Sequence, residues 1–205
     1  HHVSLLGDFG AGKSWFCRRL AYQQACRYLE NPDTERVPIV IRLREHAGLN
    51  AVDGMITHAL ENKEHVALPQ GYRTFQYLNT HGRLLLIFDG FDEIERSVAD
   101  FKTTKAYFEE LAKVVTEKGK IVLTCRTAYF RHRQEQQEVL ATDHPVRMVD
   151  KGQVIDLEDR HGFEVAEICL FDDDELKEAL HKRVPDRWET TFDTIKEIRD
   201  LPDLA

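Results

Sequence analysis

The stretch GDFGAGKS at residues 7–14 decides the fold of this chain. It follows an apolar segment at residues 3–6 that has the length of a short β-strand, and it precedes a helical pattern over residues 14–29. The eight residues match GxxxxGK[ST] in full, and a strand before and a helix after are the context that this motif requires. The sequence therefore predicts a strand, a glycine-rich turn and a helix as the first unit of an α/β domain.

This loop has the composition of a phosphate-binding site. Glycines let the backbone curl so that N–H groups face phosphate oxygens, and the N-terminus of the following helix adds a favourable dipole. Lys13 supplies a positive charge to the β- and γ-phosphates, and the Ser14 hydroxyl is placed to bind magnesium. We expect a nucleoside triphosphate to contact Gly7, Asp8, Phe9, Gly10, Ala11, Gly12, Lys13, Ser14 and Trp15. For Trp15, simple packing on the first helical turn is the alternative to contact with the ribose or base.

A second motif, LLLIFDGFDE at residues 84–93, supplies the acidic groups. Its apolar run predicts a central strand covered on both faces, and the strand ends in Asp89, whose carboxylate is expected to hold magnesium opposite Ser14. Many ATPases place a catalytic glutamate directly after this aspartate, where the present chain has Gly90. We expect Glu93 to act as the base that activates water, with Asp92 assisting. The order of these two, and a purely capping role for both, remain open from the sequence.

A third motif places an arginine beside the same site. The apolar run at residues 121–123 predicts a strand that leads into Thr124-Cys125-Arg126. If the sheet has the order 5-1-4-3-2, this strand lies between the strand that precedes the glycine-rich loop and the strand that ends in Asp89. Arg126 is then a candidate sensor of the terminal phosphate, and an arginine in a surface loop is the alternative.

The remaining segments complete an α/β prediction. Further strands are expected at residues 37–43 and 163–170, and helices at 52–62, 72–79 and 104–118, the last with Gly119 as its C-terminal cap. The expected fold is a P-loop NTPase of the ASCE type, a three-layer sandwich around a mainly parallel five-stranded sheet. Asp172 and Glu175 have the form of a capping box, so residues 1–171 are interpreted as this domain and 172–205 as the beginning of a helical one. Residues 130–161 are charged and are interpreted as a solvated insertion, with partner binding as the alternative.

Composition excludes several classes of function. The chain has 205 residues, of which 42% are hydrophobic and 31% charged, and no apolar run approaches the roughly 18 residues that suggest a membrane span. A net charge of −8 argues against a general nucleic-acid surface and leaves a local basic groove possible. Four cysteines without CxxC spacing predict free thiols in a reducing cytoplasm, and ten scattered histidines do not suggest a transition-metal site.

The three motifs together resemble those of the NACHT family of STAND NTPases. The most distinctive part is Asp89-Gly90-Phe91-Asp92-Glu93, with a small residue after the first aspartate and an acidic pair at the end. The third motif is similar to the arginine sensor of the family, which often has Ser and Pro where this chain has Cys125 and Thr127. The resemblance spans roughly residues 3–205.

What the resemblance implies is a nucleotide-dependent switch. Such a module binds ATP or ADP with Mg²⁺, hydrolyses ATP slowly, and opens on ATP exchange so that protomers of a larger protein self-oligomerise. Effector and sensor domains would then lie outside this chain, many relatives act in immunity or in defence against phage, and Pro202 would contact the adenine. ATP is preferred over GTP on this resemblance and because the sequence lacks an NKxD motif. An AAA+-like cycling remodeller and a binding module without hydrolysis are the alternatives.

Overall fold

The computed structural model describes residues 2–46, 49, 51–93, 101–127 and 163–199, and of residues 101–106 and 198–199 it describes the backbone alone. The chain divides into two compact units, His1–Ile168 and Cys169–Ala205. The insertion predicted at 130–161 and Pro202 lie outside the described residues.

The first unit is built on a five-stranded sheet. Its strands are β1 (His2–Leu6), β2 (Val37–Arg42), β3 (Leu84–Asp89), β4 (Lys120–Cys125) and β5 (Phe163–Glu167). They lie in the order β2-β3-β4-β1-β5, and each neighbouring pair is parallel. The predicted order 5-1-4-3-2 is therefore confirmed, and the carboxyl ends of β1, β3 and β4 meet at one edge of the sheet.

Helices connect the strands of this unit. They are α1 (Lys13–Glu30), α2 (Val52–Thr57), α3 (Tyr72–Thr80) and α4 (Phe101–Ala112). A π-helical segment, His58–Lys63, continues α2, and short 3-10 turns at Leu43–His46 and Phe91–Glu93 follow β2 and β3. In the described part of the chain, no helix combines the length and the apolar character needed to cross a bilayer.

The core lies on both faces of the sheet, as the apolar run in β3 predicts. Leu85 and Ile87 point to the face covered by α1, where they pack with Val122 and Cys17. The alternate residues of β3 join the larger cluster on the opposite face, whose members come from α2, α3 and α4. This alternation is the period of two of a strand, and it produces the predicted three layers.

One predicted helix ends earlier than expected. The prediction of a helix over 104–118 with Gly119 as its cap is wrong, because α4 ends at Ala112. The buried Asn79 donates from Nδ2 to the Val114 carbonyl at 2.7 Å, and the Thr116 hydroxyl accepts from the Gly119 N–H at 2.9 Å. These side-chain bonds hold the segment after Ala112 in turns against the end of α3, so its apolar residues are buried without helical structure.

The second unit contains two helices, α5 (Asp173–Arg183) and α6 (Trp188–Arg199). The predicted capping box is confirmed: the Asp172 carboxylate accepts from the N–H groups of Asp174 and Glu175 at 3.0 and 2.8 Å, and the Glu175 carboxylate accepts from the Asp172 N–H at 3.1 Å. Lys196 of α6 forms an ion pair with Asp173 of α5 at 2.9 Å, which joins the two helices.

Candidate functional site

The glycine-rich loop has the backbone conformation that the motif predicts. Gly10 and Gly12 have φ values of +78° and +94°, in the left-handed region where a residue other than glycine is strained. Apart from the neighbours of each glycine along the chain, no atom of the described residues lies within 4 Å of the position that a Cβ would take at either residue, so the space beside the loop is open there. Gly7, by contrast, is closely packed, and a Cβ there would lie 3.3 Å from the Ala11 Cβ.

Helix α1 begins at this loop without a side-chain cap. Gly12 occupies the cap position, no side chain accepts from the first turn, and that turn contains no acidic residue. The first N–H groups of an α-helix have no acceptor within the helix, and the helix dipole adds positive potential there. The Lys13 ammonium lies across the same loop and donates to the carbonyls of Gly7 and Asp8 at 2.5 and 3.0 Å. The loop thus gathers positive charge and N–H donors in the way that a polyphosphate requires.

Asp89 ends β3 within a network of buried donors. The Thr124 hydroxyl donates to Asp89 Oδ1 at 2.8 Å and accepts from the Gly90 N–H at 2.9 Å. Burial and the nearby Asp89 carboxylate raise the pKa of the Cys17 thiol to about 12. Cys17 lies three residues after Ser14 on α1, so the proximity of Cys17 to Asp89 brings the Ser14 turn to the same side of the sheet end as this carboxylate.

The two acidic residues after Gly90 have different surroundings. Asp92 is 4% exposed, and both of its oxygens are engaged by Arg126: Oδ1 accepts from the backbone N–H at 3.0 Å and Oδ2 pairs with Nε at 2.7 Å. Glu93 is 31% exposed, and among the described residues it forms an ion pair with Arg44 at 3.7 Å. Because Arg126 occupies both oxygens of the buried Asp92 and water can reach Glu93, the geometry favours Glu93 over Asp92 as the base.

The Glu93 side chain folds back beside Gly90. A Cβ at residue 90 would lie 3.2 Å from Glu93 Cδ and 3.4 Å from Oε2, and Gly90 itself has a φ of +84°. The Glu93 N–H donates to the Gly90 carbonyl at 3.0 Å, which closes the 3-10 turn. The turn therefore places the Glu93 carboxylate beside residue 90, the position at which many ATPases have their catalytic glutamate.

Arg126 directly follows β4, between the loop and the acidic turn. The Gly7 N–H donates to the carbonyl of the preceding residue, Cys125, at 3.2 Å, which ties the start of the loop to the end of β4. The Arg126 guanidinium lies over the Phe9 ring, with Cζ 5.2 Å from the ring centroid. Arg126 thus lies against both motifs, as the predicted strand order requires.

Two further predicted contacts have no test in the geometry. The Trp15 side chain is 65% exposed beside Ser14, so it is not packed into the core and stays a predicted nucleotide contact. Pro202 is outside the part of the chain that the structure describes.

Three contributors to the site were not predicted as site residues: Thr124, Cys17 and Arg44. Thr124 lies inside the quoted third motif, and a polar residue at the end of an apolar strand was an available signal. Cys17 was predicted only to be a free thiol. Nothing in the local sequence of Arg44 indicates its contact with Glu93.

These residues fit a nucleoside triphosphate with Mg²⁺. The uncapped N-terminus of α1, the open space beside Gly10 and Gly12, and the Lys13 ammonium suit the phosphates. The Asp89 carboxylate, held by the Thr124 hydroxyl, and the hydroxyl of the exposed Ser14 supply the oxygen ligands that Mg²⁺ prefers.

Comparison with known proteins identifies the family. The family model described as NACHT domain matches residues 1–154. An uncharacterised WD repeat-containing protein of Nostoc sp. is 33% identical, in an alignment that covers all of this chain and 13% of that protein. The chain thus spans about an eighth of the length of the curated relative it matches.

Solved structures show the fold. The ORC1 protein of Aeropyrum pernix, solved in complex with DNA, superposes with a TM-score of 0.54 at 14% identity, covering 90% of this chain and 43% of that one. A STAND protein with a tetratricopeptide repeat sensor from Pyrococcus horikoshii gives a TM-score of 0.38 at 13% identity, covering 96% of this chain and 25% of that one. The fold assignment rests on the first of these matches. The chain belongs to the NACHT domain family of P-loop NTPases and is a nucleotide-binding module.

Proposed function

We propose that this chain is a slow, magnesium-dependent ATPase module whose bound nucleotide controls the self-association of a larger signalling protein. The observation that carries the proposal is the position of Glu93, whose side chain folds back beside Gly90, the residue that directly follows Asp89. Glu93 is the more exposed of the two acidic residues, so water has access to it.

Each residue has a distinct role in this proposal. The loop of residues 7–14 and Lys13 bind the phosphates, and Trp15 borders the nucleotide. Ser14 and Asp89 hold Mg²⁺, which when bound neutralises phosphate charge. Glu93 orients the attacking water and accepts its proton, and Arg126 contacts the terminal phosphate. Asp92 takes no proton, because Arg126 engages both of its oxygens. Pro202 is proposed to contact the adenine.

The larger protein is also part of the proposal. A chain that matches an eighth of a WD repeat-containing relative fits a central module flanked by sensor and effector domains. Residues 1–171 would then be the nucleotide-binding domain and 172–205 the beginning of a helical one. The four cysteines of the chain are free thiols, which is consistent with a reducing cytoplasm. Defence signalling is the context that the family suggests.

Phosphate release from ATP tests the catalytic part. Wild type, Lys13→Ala and Glu93→Gln are compared, with Glu61→Gln as the matched control because this exposed glutamate lies on the π-helical segment, outside the three motifs. We expect slow turnover in wild type and the control, and a loss of at least about a hundredfold in the other two. Equal rates in all four proteins would refute the catalytic assignment. If wild type binds ATP but releases no phosphate, the proposed hydrolysis is wrong and the module only binds nucleotide.

Self-association is tested on the whole protein. Mass photometry of the full-length gene product is expected to show oligomers with Mg²⁺ and ATP, and monomers with ADP. The same mass distribution with both nucleotides would contradict the switch.

A further inference from the structure

The Arg126 side chain is held by two residues that have no catalytic role in the proposal above. Asp92 contacts Arg126 at two points: Oδ1 accepts from the backbone N–H at 3.0 Å, and Oδ2 pairs with Nε of the side chain at 2.7 Å. Phe9 lies under the guanidinium, 5.2 Å from Cζ to the ring centroid. Asp92 belongs to the turn after β3 and Phe9 to the phosphate-binding loop, so Arg126 joins the two motifs.

Asp92 leaves the outer edge of the guanidinium available. An arginine has five N–H donors in a rigid fork, and Asp92 uses the one on Nε. Among the described residues, no hydrogen bond from Nη1 or Nη2 of Arg126 accompanies this contact. Because Asp92 is 4% exposed, its own position is set by the surrounding packing and it fixes the direction of the fork. The free edge has the planar, two-donor geometry that phosphate oxygens accept.

The Phe9 ring contacts Arg126 although its side chain is largely exposed to solvent. Its side chain is 83% exposed, so burial of apolar surface cannot explain a phenylalanine at this loop position. Its one described ring contact is the face presented to Arg126, which is attracted electrostatically to the ring quadrupole. Phe9 also lies one residue before Gly10, whose φ of +78° belongs to the phosphate-binding conformation. A change in the loop would therefore move the ring relative to the guanidinium.

We propose that Asp92 and Phe9 are positioning residues that together hold Arg126 so that the site distinguishes a nucleoside triphosphate from a diphosphate. This rests on the proposed function, since it requires that Arg126 contact the terminal phosphate. Asp92, in the turn after β3, sets the orientation of the Arg126 guanidinium. Phe9 holds the plane of the guanidinium against the phosphate-binding loop. The loop and the sensor then respond to the terminal phosphate as one unit.

The proposal predicts how single substitutions act on nucleotide preference. The quantity is the ratio of the dissociation constants for ADP and for a non-hydrolysable ATP analogue, adenylyl imidodiphosphate, both with Mg²⁺. Phe9→Ala removes an exposed cation–π contact and is expected to lower the ratio about two- to fivefold, whereas Phe9→Tyr keeps it. Asp92→Asn removes a charge-assisted hydrogen bond while keeping an acceptor for the Arg126 N–H, and is expected to lower the ratio about tenfold or more.

The test is a double-mutant cycle on the 205-residue chain, read by calorimetric titration. Phe9→Ala is introduced into wild type and into Arg126→Ala, and Tyr22→Ala serves as the matched control because Tyr22 is also a solvent-exposed aromatic and lies on α1, outside the loop. If Phe9 acts through Arg126, its substitution changes the ratio in wild type and has no further effect in Arg126→Ala. Tyr22→Ala is expected to leave the ratio at the wild-type value.

The outcomes separate this proposal from the proposed function. An unchanged ratio in Phe9→Ala and Asp92→Asn, or an equal effect of Phe9→Ala in both backgrounds, would overturn the positioning role while nucleotide binding stands. Because Phe9 is exposed, its variants keep the test valid even if Asp92→Asn fails to fold. If wild type binds neither nucleotide, both proposals fail.

Discussion

Replacing Thr124 tests whether the network around Asp89 depends on a hydroxyl group or on packing. The Thr124 side chain is fully buried and bridges Asp89 Oδ1 and the Gly90 N–H at 2.8 and 2.9 Å. Thr124→Val replaces the hydroxyl by a methyl group of similar size, so it removes both hydrogen bonds without opening a cavity. Thr124→Ser does the reverse, since it keeps the hydroxyl and deletes the methyl.

The expected magnitudes follow from these contacts. In Thr124→Val the buried Gly90 N–H loses its acceptor, which costs about 1–3 kcal/mol, and a hydrogen bond to a carboxylate, worth about 1.5–3 kcal/mol, is also lost. Because Asp89 is only half-buried and water can replace part of the lost bond, we expect a total in the lower half of the sum, about 2.5–4 kcal/mol. Thr124→Ser loses one buried methyl group, at about 1 kcal/mol.

The assay is urea unfolding followed by circular dichroism at pH 7.5. Stability is expected to fall in the order wild type, Thr124→Ser, Thr124→Val, with unchanged m values, so that the midpoints can be compared directly. The reverse order, with the serine variant less stable than the valine variant, would refute the reasoning, because packing and not hydrogen bonding would then dominate at this position.

Two further predictions concern ionisable groups. Burial and the neighbouring His58 lower the pKa of His46 from 6.5, so the unfolded chain binds more protons, and the free energy of unfolding falls as the pH drops through about 6.5. His46→Gln should lose less stability than wild type between pH 7.5 and 5.5 in urea titrations, and equal losses would contradict the assignment. For the thiols, a disulfide reagent at pH 8 should label the exposed Cys169 rapidly and the buried Cys17 and Cys125 only after unfolding. Rapid labelling of either buried cysteine in the native protein would be inconsistent with the structure.

The features that short motifs encode could be predicted from the sequence. The glycine-rich loop needs φ values that glycines supply at positions 10 and 12, and a strand and a helix around it follow from hydrophobic periodicity. The parallel sheet and its order follow from the alternation of strands and helices together with these motifs. The position of Arg126 beside the loop was a consequence of that order.

Contacts between distant segments could not be predicted. The bond from Thr124 to Asp89 depends on the register in which β4 pairs with β3, and because both strands are buried on both faces, no alternation of polar and apolar residues indicates that register. Helix α4 shows the same limit, because apolar residues continue the helical spacing past Ala112 while the Asn79 amide binds the Val114 carbonyl from another helix. Tertiary hydrogen bonds override local helix propensity there.

The sequence favoured Glu93 as the base, with Asp92 assisting, but left the order of the two open. Both are acidic and adjacent, and only their surroundings distinguish them: Arg126 pairs with the first, and the second folds back over Gly90. The turn that causes this difference depends on the positive φ of Gly90. A pattern of residue types cannot express which of two neighbouring carboxylates is buried.

Nucleotide binding at the loop is the central claim, and calorimetric titration with Mg²⁺ and ATP tests it most directly. The Lys13 ammonium lies across the loop, so we expect wild type to bind one ATP and Lys13→Ala to bind it at least about tenfold more weakly. Lys63→Ala, which removes a lysine paired with Glu45 outside the loop, is expected to bind as wild type does. Equal affinity in the wild type and Lys13→Ala, or no ATP binding by wild type, would contradict the account.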